Sequence, residues 1–339
     1  METKLYRVSK TRPAKWKIKE CAEILKKGGL VAFPTETVYG LGASAFLDDA
    51  VKKIFMVKGR PPDNPIIVHI SNFTQLSEVV SEVPEKAKKL AEKFWPGPLT
   101  LVLQKREEIP YSVTANLETV AVRMPSHPVA RMLIEFAGPV AAPSANLSGR
   151  VSPTRVEHVI ADFYGKIEAI IDGGPTTIGL ESTVLANLDD VPILLRPGGI
   201  TVEMVSREIG QIEVHPVARA EIEFERALAP GMKYRHYSPL AEVVLVEPSA
   251  SEKILEVFEE KKKGKKACLL LFRRRKGVRG DVVFGSRGSK EEYARNLFKL
   301  LREVDEKGYE VVVVEGVDEE GIGLAIMNRL RKCAGEIVR

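Results

Sequence analysis

The sequence predicts an α/β protein of two domains: a twisted mixed sheet with flanking helices over residues 1–210, and a smaller parallel α/β domain over residues 240–339. The length of 339 residues suits about two domains. Hydrophobic residues make up 44% and charged residues 29%, which supplies packed cores and argues against disorder. In the first half, short apolar runs alternate with amphipathic stretches, and some runs follow one another without a helix between them. That order favours a mixed sheet over a strictly parallel one.

The elements of the first half follow from hydrophobic periodicity and from stop signals. Residues 14–27 place apolar side chains at helical spacing and stop at Gly28, and Asp48 is a candidate cap for a helix that ends at Gly59. Further helices are predicted at residues 85–94, 128–136, 154–163 and 202–209. Buried strands are predicted at residues 30–33, 66–70, 99–103, 120–123, 140–142, 169–172, 182–186 and 193–195.

Residues 211–239 interrupt this pattern, and a second alternation follows them. The segment has no clear period, and its end places two tyrosines, a histidine and two cations between prolines, which is unlike a passive spacer. It is predicted to be a linker. From residue 240 onwards, strands are predicted at 243–246, 267–271 and 309–314, and helices at 252–262, 290–307 and 322–333. This alternation predicts a small parallel sheet.

Charge and cysteine usage narrow the functional classes. The net charge of +5 is spread over both halves, so neither half has the bulk charge of a nucleic-acid-binding module. There is no apolar run of about 18 residues and no signal-peptide core, so we expect a protein without a membrane segment. The three cysteines match no zinc or disulfide spacing and are expected to be buried thiols in a reducing cytoplasm. Three Gln and seven Asn in the whole chain fit a heat-adapted source.

Residues 34–42 (PTETVYGLG) are the first stretch with chemical character. Hydroxyl groups, an acid, a phenol and two glycines follow directly on a predicted strand, where ligand contacts are common. A glycine turn with local threonine hydrogen bonds explains the same residues equally well. Both interpretations stay open at this point.

A second stretch, residues 58–65, places Lys58 and Arg60 at a helix end before three prolines. The helix dipole favours cations there, but stiffly held Lys and Arg also stabilise charge on a phosphoryl group. His69 follows on the next strand, where a lone histidine is more often structural than catalytic. Arg123 ends another strand, and it either reaches solvent or closes a pocket around a carboxylate or phosphate.

Residues 141–154 combine small residues and hydroxyls between a strand and a helix. The helix N-terminus is either an anion site or an ordinary Ser/Thr cap. Residues 179–184 and 195–199 repeat the pattern of a loop and strand with hydroxyls or arginine. The sequence has no Walker loop, dinucleotide fingerprint or nucleophile elbow. Together these stretches predict a pocket for a phosphorylated ligand without a covalent nucleophile.

Residues 261–279 carry ten Lys and Arg and no acid. This stretch could contact RNA. Because it contains the apolar run 267–272, a solvated helix end and loop around a buried strand is the favoured interpretation.

Taken together, four motifs resemble the threonylcarbamoyl-AMP synthase family in order and spacing. They are residues 34–41, Lys58-Gly59-Arg60 with Asn64-Pro65, residues 143–146 and Arg196-Pro197-Gly198. The chain resembles the long form of the family, with a YrdC-type catalytic domain over about residues 10–210. Residues 230–237 are similar to the family's linker, and the remainder to its small Rossmann-like C-terminal domain.

The resemblance implies roles for individual residues. Lys58, Arg60, Ser144 and Asn146 would form the catalytic phosphate and carbamate cluster. The implied ATP contacts are Lys58, Arg60, Asn64, Thr119, Ser144, Asn146, Ser152, Arg196 and Tyr234. The implied L-threonine contacts are Thr35, His69, Arg123, Ala142 and Ser182, with Arg123 pairing the amino-acid carboxylate. Residues 211–239 would fold over the pocket as a lid and exclude water.

The resemblance also implies the reaction and its partners. L-threonine, bicarbonate and ATP would give threonylcarbamoyl-AMP and pyrophosphate, with Mg²⁺ accompanying the ATP and no visible carboxylate cluster to hold it. A downstream transferase of the KEOPS type would place the product on tRNA beside the anticodon, with a weak tRNA contact possible here. Two alternatives remain: a double-stranded-RNA-binding module, and a carbamoyl-phosphate-dependent carbamoyltransferase like that of hydrogenase maturation factors, although their zinc-finger cysteines are missing here.

Overall fold

The computed structural model describes residues 2–221, 237–274 and 281–339. The strands of the first domain are β1 (Lys4–Arg7), β2 (Val31–Pro34), β3 (Tyr39–Ser44), β4 (Ile67–His69), β5 (Leu99–Gln104), β6 (Thr119–Arg123), β7 (Val140–Ala141), β8 (Ala169–Asp172), β9 (Thr183–Ala186), β10 (Ile193–Arg196) and β11 (Glu213–Val214). Most inner strands are formed by apolar runs that are buried on both faces, whereas the edge strands β1 and β11 are largely exposed or half-buried. The strands pair in the order β1-β8-β2-β3-β7-β4-β6-β5-β9-β10-β11.

Amphipathic helices cover this sheet. They are α1 (Lys15–Lys26), α2 (Asp48–Lys58), α3 (Phe73–Val79), α4 (Glu85–Phe94), α5 (Tyr111–Thr114), α6 (Pro128–Ala137), α7 (Val156–Phe163) and α8 (Val202–Ile209). The sheet is mixed: for example, β2 and β8 are parallel, whereas β2 and β3 are antiparallel. The prediction of a mixed sheet with flanking helices is therefore confirmed.

The second domain is a parallel sheet with its own helices, as predicted. Its elements are β12 (Glu242–Val246), α9 (Ile254–Lys261), β13 (Ala267–Leu271), β14 (Val282–Phe284), α10 (Lys290–Glu306), β15 (Val311–Glu315), α11 (Gly323–Cys333) and β16 (Glu336–Val338). The strand order is β14-β13-β15-β12-β16, and each neighbouring pair is parallel. Of the basic stretch at residues 261–279, the buried strand β13 is confirmed, and residues 275–279 lie outside the described residues.

Some expectations about individual elements were wrong. Residues 39–44, expected to be a loop, form β3, because β2 and β7 pair with it on both sides. Asp48 does not cap α2: the N-cap is Leu47, and the Asp48 carboxylate pairs with Lys52 at 2.5 Å. Strands β1, β11, β14 and β16 and helices α3 and α5 were not predicted. Each is short, and a short element offers little periodicity to detect.

The two domains share apolar contacts. The hydrophobic cluster of the second domain includes Val38, Val151 and Leu180 from the first, together with Tyr237. In return, Leu324 of α11 belongs to the main cluster of the first domain. The second domain therefore packs directly against the loops that follow the strands of the first.

Two further expectations concern cysteines and membranes. Cys21, Cys268 and Cys333 are all buried thiols, as predicted. Within the described parts of the chain, no helix combines the length and the hydropathy that a membrane crossing requires.

Candidate active site

A pocket opens where the loops after β2 and β7 meet the ends of β4, β6 and β10. Ten residues that were assigned to the site from the sequence line it: Thr35, Arg60, His69, Arg123, Ala142, Ser144, Asn146, Ser152, Ser182 and Arg196. These residues are up to 161 positions apart in the sequence, so the fold brings residues of separate motifs into one pocket.

Lys58 and Arg60 point in different directions because Gly59 lies between them in the left-handed region, with φ of 61°. This conformation is common for glycine at a helix C-terminus and reverses the chain. The buried Lys58 amine donates to the backbone oxygen of Ser144 at 2.6 Å and to that of Asn146. Burial lowers the pKa of Lys58 well below its ordinary value, and the charge of Arg60 lowers it further. Lys58 thus supports the loop at residues 143–152 from behind.

Arg60 lies at the pocket itself and is half-buried. Its Nη2 donates to the backbone oxygens of Asn64 at 3.0 Å and of Pro65 at 2.9 Å. The Asn64 contact is therefore made through its backbone, next to the pocket. The guanidinium group is held by these two carbonyls and remains at the pocket surface, where an anion would meet it.

The loop at residues 143–152 is fixed by backbone pairing and by Asn146. Ser144 forms an antiparallel bridge with Gly40, and the Ala142 N–H donates to the oxygen of Ile67 at 2.9 Å. The Asn146 Nδ2 donates to Leu147 O at 2.8 Å, while its buried Oδ1 has no hydrogen-bond partner in the described parts of the chain. Asn146 therefore shapes the loop with one end of its amide and offers the other end to the pocket.

We call Glu36, Thr37, His69 and Arg123 the Arg123 wall of the pocket. Arg123 is 3% exposed, and its Nη2 lies 2.6 Å from the Glu36 carboxylate. Its Nη1 donates to Thr37 Oγ1 at 2.8 Å and its Nε to Gly97 O at 3.2 Å. Nε and Nη1 are thus used in hydrogen bonds, whereas Nη2 is paired with Glu36 by charge and has no hydrogen-bond partner within the described residues.

The contacts of Thr35 show that residues 34–42 form a local turn and also belong to the ligand pocket, so both interpretations hold. Its hydroxyl donates to Val38 O at 2.6 Å and lies 2.8 Å from Thr37 Oγ1, which is a local turn. Thr37 in turn contacts Arg123, so this turn also orders the Arg123 wall. The local hydrogen bonds and the ligand pocket are therefore parts of one arrangement.

His69 lines the same wall as a neutral imidazole. Burial, followed by the charge of Arg123, lowers the pKa of His69 to about 3. Its Nδ1 has no hydrogen-bond partner in the described parts of the chain. A neutral ring with a buried nitrogen next to a cation can hydrogen-bond a ligand, but it carries no positive charge at neutral pH.

We call Ser152, Glu181, Ser182 and Arg196 the Arg196 wall. Ser152 Oγ donates to Glu181 Oε1 at 2.6 Å, and the Arg196 Nη2 donates to Ser182 Oγ at 3.0 Å. Burial lowers the pKa of Arg196 to about 10, so the group stays charged at neutral pH. Ser182, assigned from the sequence to the threonine contacts, thus touches Arg196 directly.

The turn after Arg196 needs a glycine at position 198. A Cβ atom there would lie 2.3 Å from the Thr183 nitrogen and 2.5 Å from the Glu181 oxygen. Only a residue without a side chain allows residues 197–198 to approach the start of β9 this closely. The Arg-Pro-Gly motif therefore fixes Arg196 against Glu181 and Ser182.

Of the fourteen assigned residues, four are not seen to line this pocket. Lys58 contacts the backbone of Ser144 and Asn146, and Asn64 contacts Arg60 through its backbone oxygen. Thr119 begins β6, four residues before Arg123, and lines a separate surface groove with Leu195 and His215. Tyr234 lies outside the described residues. Its neighbour Tyr237 does line the pocket and is 6% exposed.

Sequence reasoning missed several residues of the pocket. Thr37, Arg150, Glu181 and Tyr237 line it, and Glu36 pairs with Arg123. Glu36 and Glu181 are each next to an assigned residue with a hydroxyl group, Thr35 and Ser182. An acid beside such a hydroxyl is the sequence feature that could have identified both. Arg150 offered no signal beyond its closeness to the loop at residues 143–149.

The described residues do not fit a resident metal ion. Within residues 2–221, 237–274 and 281–339, no group of three His, Cys, Asp or Glu side chains could hold one. The pocket carboxylates of Glu36 and Glu181 are each paired with an arginine. Two arginine-paired acids are a poor donor set for Mg²⁺, which favours oxygen ligands from carboxylates and phosphates. Mg²⁺ with ATP stays a prediction.

The fold and pocket together define a class: a mixed α/β protein with a buried, cation-lined pocket suited to an anionic substrate. A family model described as "Telomere recombination" matches residues 23–198, and one described as "Threonylcarbamoyl-AMP synthase, C-terminal domain" matches residues 200–335. The chain belongs to the threonylcarbamoyl-AMP synthase family.

Individual relatives match nearly the whole chain. The threonylcarbamoyl-AMP synthase of Pyrococcus abyssi is 52% identical over 336 residues, 96% of each chain. That of Bacillus subtilis is 49% identical over 324 residues, 94% of this chain and 93% of that protein. The crystal structure of P. abyssi Sua5 complexed with L-threonine superposes with a TM-score of 0.94 at 51% identity, covering 99% of both chains.

Proposed function

We propose that this protein is an L-threonylcarbamoyladenylate synthase, a nucleotidyltransferase that acts on L-threonine, bicarbonate and ATP. The observation that carries the proposal is the pocket with two walls, each built around a buried arginine. The relatives bear the synthase name, and the P. abyssi structure is described as a complex with L-threonine.

The proposed chemistry needs positioning and charge neutralisation rather than a covalent intermediate. The threonine amine adds to carbon dioxide from bicarbonate and loses a proton, which gives a carbamate. A carbamate oxygen then bonds to the α-phosphorus of ATP, and the bond from that phosphorus to the bridging oxygen breaks. Threonylcarbamoyl-AMP and pyrophosphate result, with one water from the bicarbonate. Bringing three reactants together is the main contribution that such a site makes.

Each wall then has a proposed substrate. The Arg123 guanidinium, whose Nη2 has no hydrogen-bond partner within the described residues, suits the threonine carboxylate, with neutral His69 and Thr35 beside it. Arg60 and Arg196 suit the phosphates and nucleotide of ATP, with Ser144 and Asn146 Oδ1 at the reacting groups. Tyr237, at the end of residues 211–239, covers the pocket, which supports the proposed lid over a hydrolysable product.

The proposed product serves tRNA. A threonylcarbamoyl adenylate is an activated acyl donor, so a separate transferase has to consume it. We assign that step to a KEOPS-type assembly that modifies the adenosine beside the anticodon, in the cytoplasm. The basis is family membership alone.

Pyrophosphate release from ATP tests the proposal directly, with L-threonine and bicarbonate omitted in turn. Release that needs both substrates is the expected result. Release without threonine would contradict the proposal and favour a carbamoyl-transfer enzyme or a simple ATPase. No release by folded protein at several temperatures would favour the RNA-binding alternative.

A further inference from the structure

Two arginines of the second domain are buried against the first domain, close to the pocket. Arg329 on α11 is 0% exposed, and Arg302 on α10 is 9% exposed. Neither lines the pocket. Burying a guanidinium ion is costly unless it is fully paired, so what each arginine contacts is informative.

Arg329 contacts the Arg196 wall from behind. Its Nε donates to Glu181 Oε2 at 3.1 Å, and its Nη1 donates to Pro197 O at 2.7 Å. The other oxygen of Glu181 accepts the Ser152 hydroxyl, and Pro197 directly follows Arg196. One buried cation of the second domain thus fixes the carboxylate that orients Ser152 and the turn that carries Arg196.

Arg302 contacts the loop at residues 143–152 directly at Val151 and, through Asp162, indirectly at Leu147. Its Nε and Nη2 donate to Val151 O at 3.0 and 2.6 Å, and its Nη2 lies 2.8 Å from Asp162 Oδ2. The same oxygen of Asp162 accepts the Leu147 N–H at 3.3 Å. Leu147 and Val151 adjoin Asn146 and Ser152, so Arg302 orders the part of the loop that carries both.

Tyr237, a lining residue of the pocket, also packs against the second domain next to these contacts. The Tyr237 ring stacks on Phe298 of α10, with centroids 5.2 Å apart, and the Arg329 Cζ lies 5.7 Å from the Tyr237 ring centroid. Tyr237 itself lines the pocket. Arg329 thus contacts Glu181 of the Arg196 wall, and Arg302 contacts Val151, which adjoins Ser152 of the same wall. The contacts from the second domain therefore lie on one side of the pocket.

We infer that the second domain completes the ATP-binding half of the pocket through Arg329 and Arg302, which act as positioning residues for Ser152, Arg196 and Asn146. This inference rests on the proposed function for the identity of the nucleotide. Because both arginines act through other groups, their loss should weaken ATP binding while threonine binding at the Arg123 wall is retained. A purely structural role in domain docking would not separate the two substrates.

The first experiment compares Arg329→Gln with Arg331→Gln in the full chain. Arg331 lies two residues further along α11 and pairs with Glu247 at 2.8 Å and Glu319 at 2.6 Å, in a network that does not reach the pocket. We expect Arg329→Gln to weaken ATP binding about 10- to 100-fold, since a displacement of about 1 Å can cost that much. The threonine dissociation constant should change less than about threefold, and Arg331→Gln should leave both constants unchanged. Calorimetric titration with ATP and with L-threonine measures both.

Two outcomes would overturn the inference. One is an ATP dissociation constant equal to that of the wild type in folded Arg329→Gln. The other is an equal loss of ATP and threonine binding in both variants, in proportion to their thermal stability. Because direct binding needs no turnover, these outcomes are distinct from failure of the proposed function, which wild-type protein without threonine-dependent pyrophosphate release would show.

The route through Glu181 is tested by combining substitutions. If Arg329 positions Ser152 through the Glu181 carboxylate, Glu181→Gln with Arg329→Gln should bind ATP no more weakly than Arg329→Gln alone. Fully additive losses would contradict this route. Arg329→Lys, which keeps the charge, guards against loss of folding and should retain ATP binding better than Arg329→Gln does.

Arg302 is tested in the same way on its own helix. Arg302→Gln should weaken ATP binding about 10-fold, since one substitution displaces the loop that carries Asn146 and Ser152. The matched control is Arg295→Gln, since the exposed Arg295 donates only to Thr177 O, at 3.0 Å, outside the pocket. Equal ATP affinity in the two variants would refute the part assigned to Arg302.

Discussion

Arg123 and Arg196 are both buried in the pocket, but their supports come from different parts of the chain. Arg123 is held by Glu36, Thr37 and Gly97, all in the first domain. Arg196 contacts Ser182, and the turn after it is fixed by Arg329 of the second domain. One wall is therefore complete within the first domain, whereas the other depends on the second domain.

The difference teaches how a second domain can take part in a site without touching a ligand. Its contribution is made through Glu181, Asp162 and backbone oxygens that already belong to the pocket or its loop. Substrate for the Arg123 wall can bind to a surface that the first domain has already ordered. Substrate for the Arg196 wall needs both domains in place, which links domain packing to one substrate only.

The largest effect expected at the loop between the walls comes from Lys58→Ala. The substitution removes the donor to the Ser144 and Asn146 oxygens and leaves both carbonyls without it. Because we propose that this loop presents its groups to the reacting phosphate, we expect kcat for pyrophosphate release to fall by about 10³-fold. Steady-state kinetics, with circular dichroism to verify folding, measures the effect.

Lys53→Ala is the matched control for this prediction. Lys53 lies on the same helix, and its amine donates to Gly28 O at 2.8 Å on the exposed side. It should keep kcat within about twofold, as is usual for surface substitutions. Near-normal kcat in folded Lys58→Ala would remove the loop from the proposed mechanism.

Arg123→Ala has the next largest expected effect and addresses the other wall. It removes the proposed partner of the threonine carboxylate and leaves Glu36 buried without its cation. We expect the threonine dissociation constant to rise about 100-fold, in line with the cost of breaking a buried charge pair. The ATP dissociation constant should change less than about threefold. Calorimetry on the full chain measures both, with the exposed Arg106→Ala as control.

An equal loss of both affinities would contradict the assignment of one substrate to each wall. If Arg123→Ala weakened ATP as much as threonine, the two walls would not serve separate substrates. Arg123→Lys separates charge from shape, because lysine restores the charge but not the planar group that contacts Glu36 and Thr37 together.

Much of the fold could be predicted because its signals are local. Helices α4 and α8 begin and end where the sequence predicted, since their apolar residues recur at helical spacing. Strand β3 could not be predicted in this way. Its sequence, YGLGAS, alternates glycine and apolar residues, and its conformation depends on pairing with β2 and β7.

In the candidate site, too, residues with a local sequence signal could be predicted and those that depend on long-range contacts could not. Lys58, Arg60 and Arg196 were found because each lies in a short motif with recognisable chemistry. The Glu181–Arg329 pair joins positions 148 residues apart, and neither residue carries a local signal of the contact. Long-range ion pairs of this kind are set by how domains pack, which periodicity and motif spacing do not encode.

The smallest effect expected concerns His69 and pH. Burial and the charge of Arg123 lower the pKa of His69 to about 3, below the value of about 6.5 in an unfolded chain. Between these values the unfolded chain binds more protons than the folded one, so the stabilisation is complete above pH 6.5 and falls as the pH decreases. The slope should be at most about 1.4 kcal/mol per pH unit for this histidine. Threonine affinity should therefore show no His69 inflection between pH 6.5 and 8.

Thermal unfolding of the wild type and of His69→Asn from pH 8 to pH 4 measures the contribution of His69 to the pH dependence of stability. The variant should lose less stability on acidification than the wild type, because asparagine has no proton to take up. His215→Asn is a useful control, since the half-buried His215 lines the separate groove with Thr119 rather than either wall. A threonine affinity that falls with a midpoint near pH 6.5 in the wild type, and is flat in His69→Asn, would mean that the histidine is protonated there. In that case His69 would titrate near neutral pH in the Arg123 wall. The two walls would then differ in how their charge depends on pH, as well as in which domain holds their arginine.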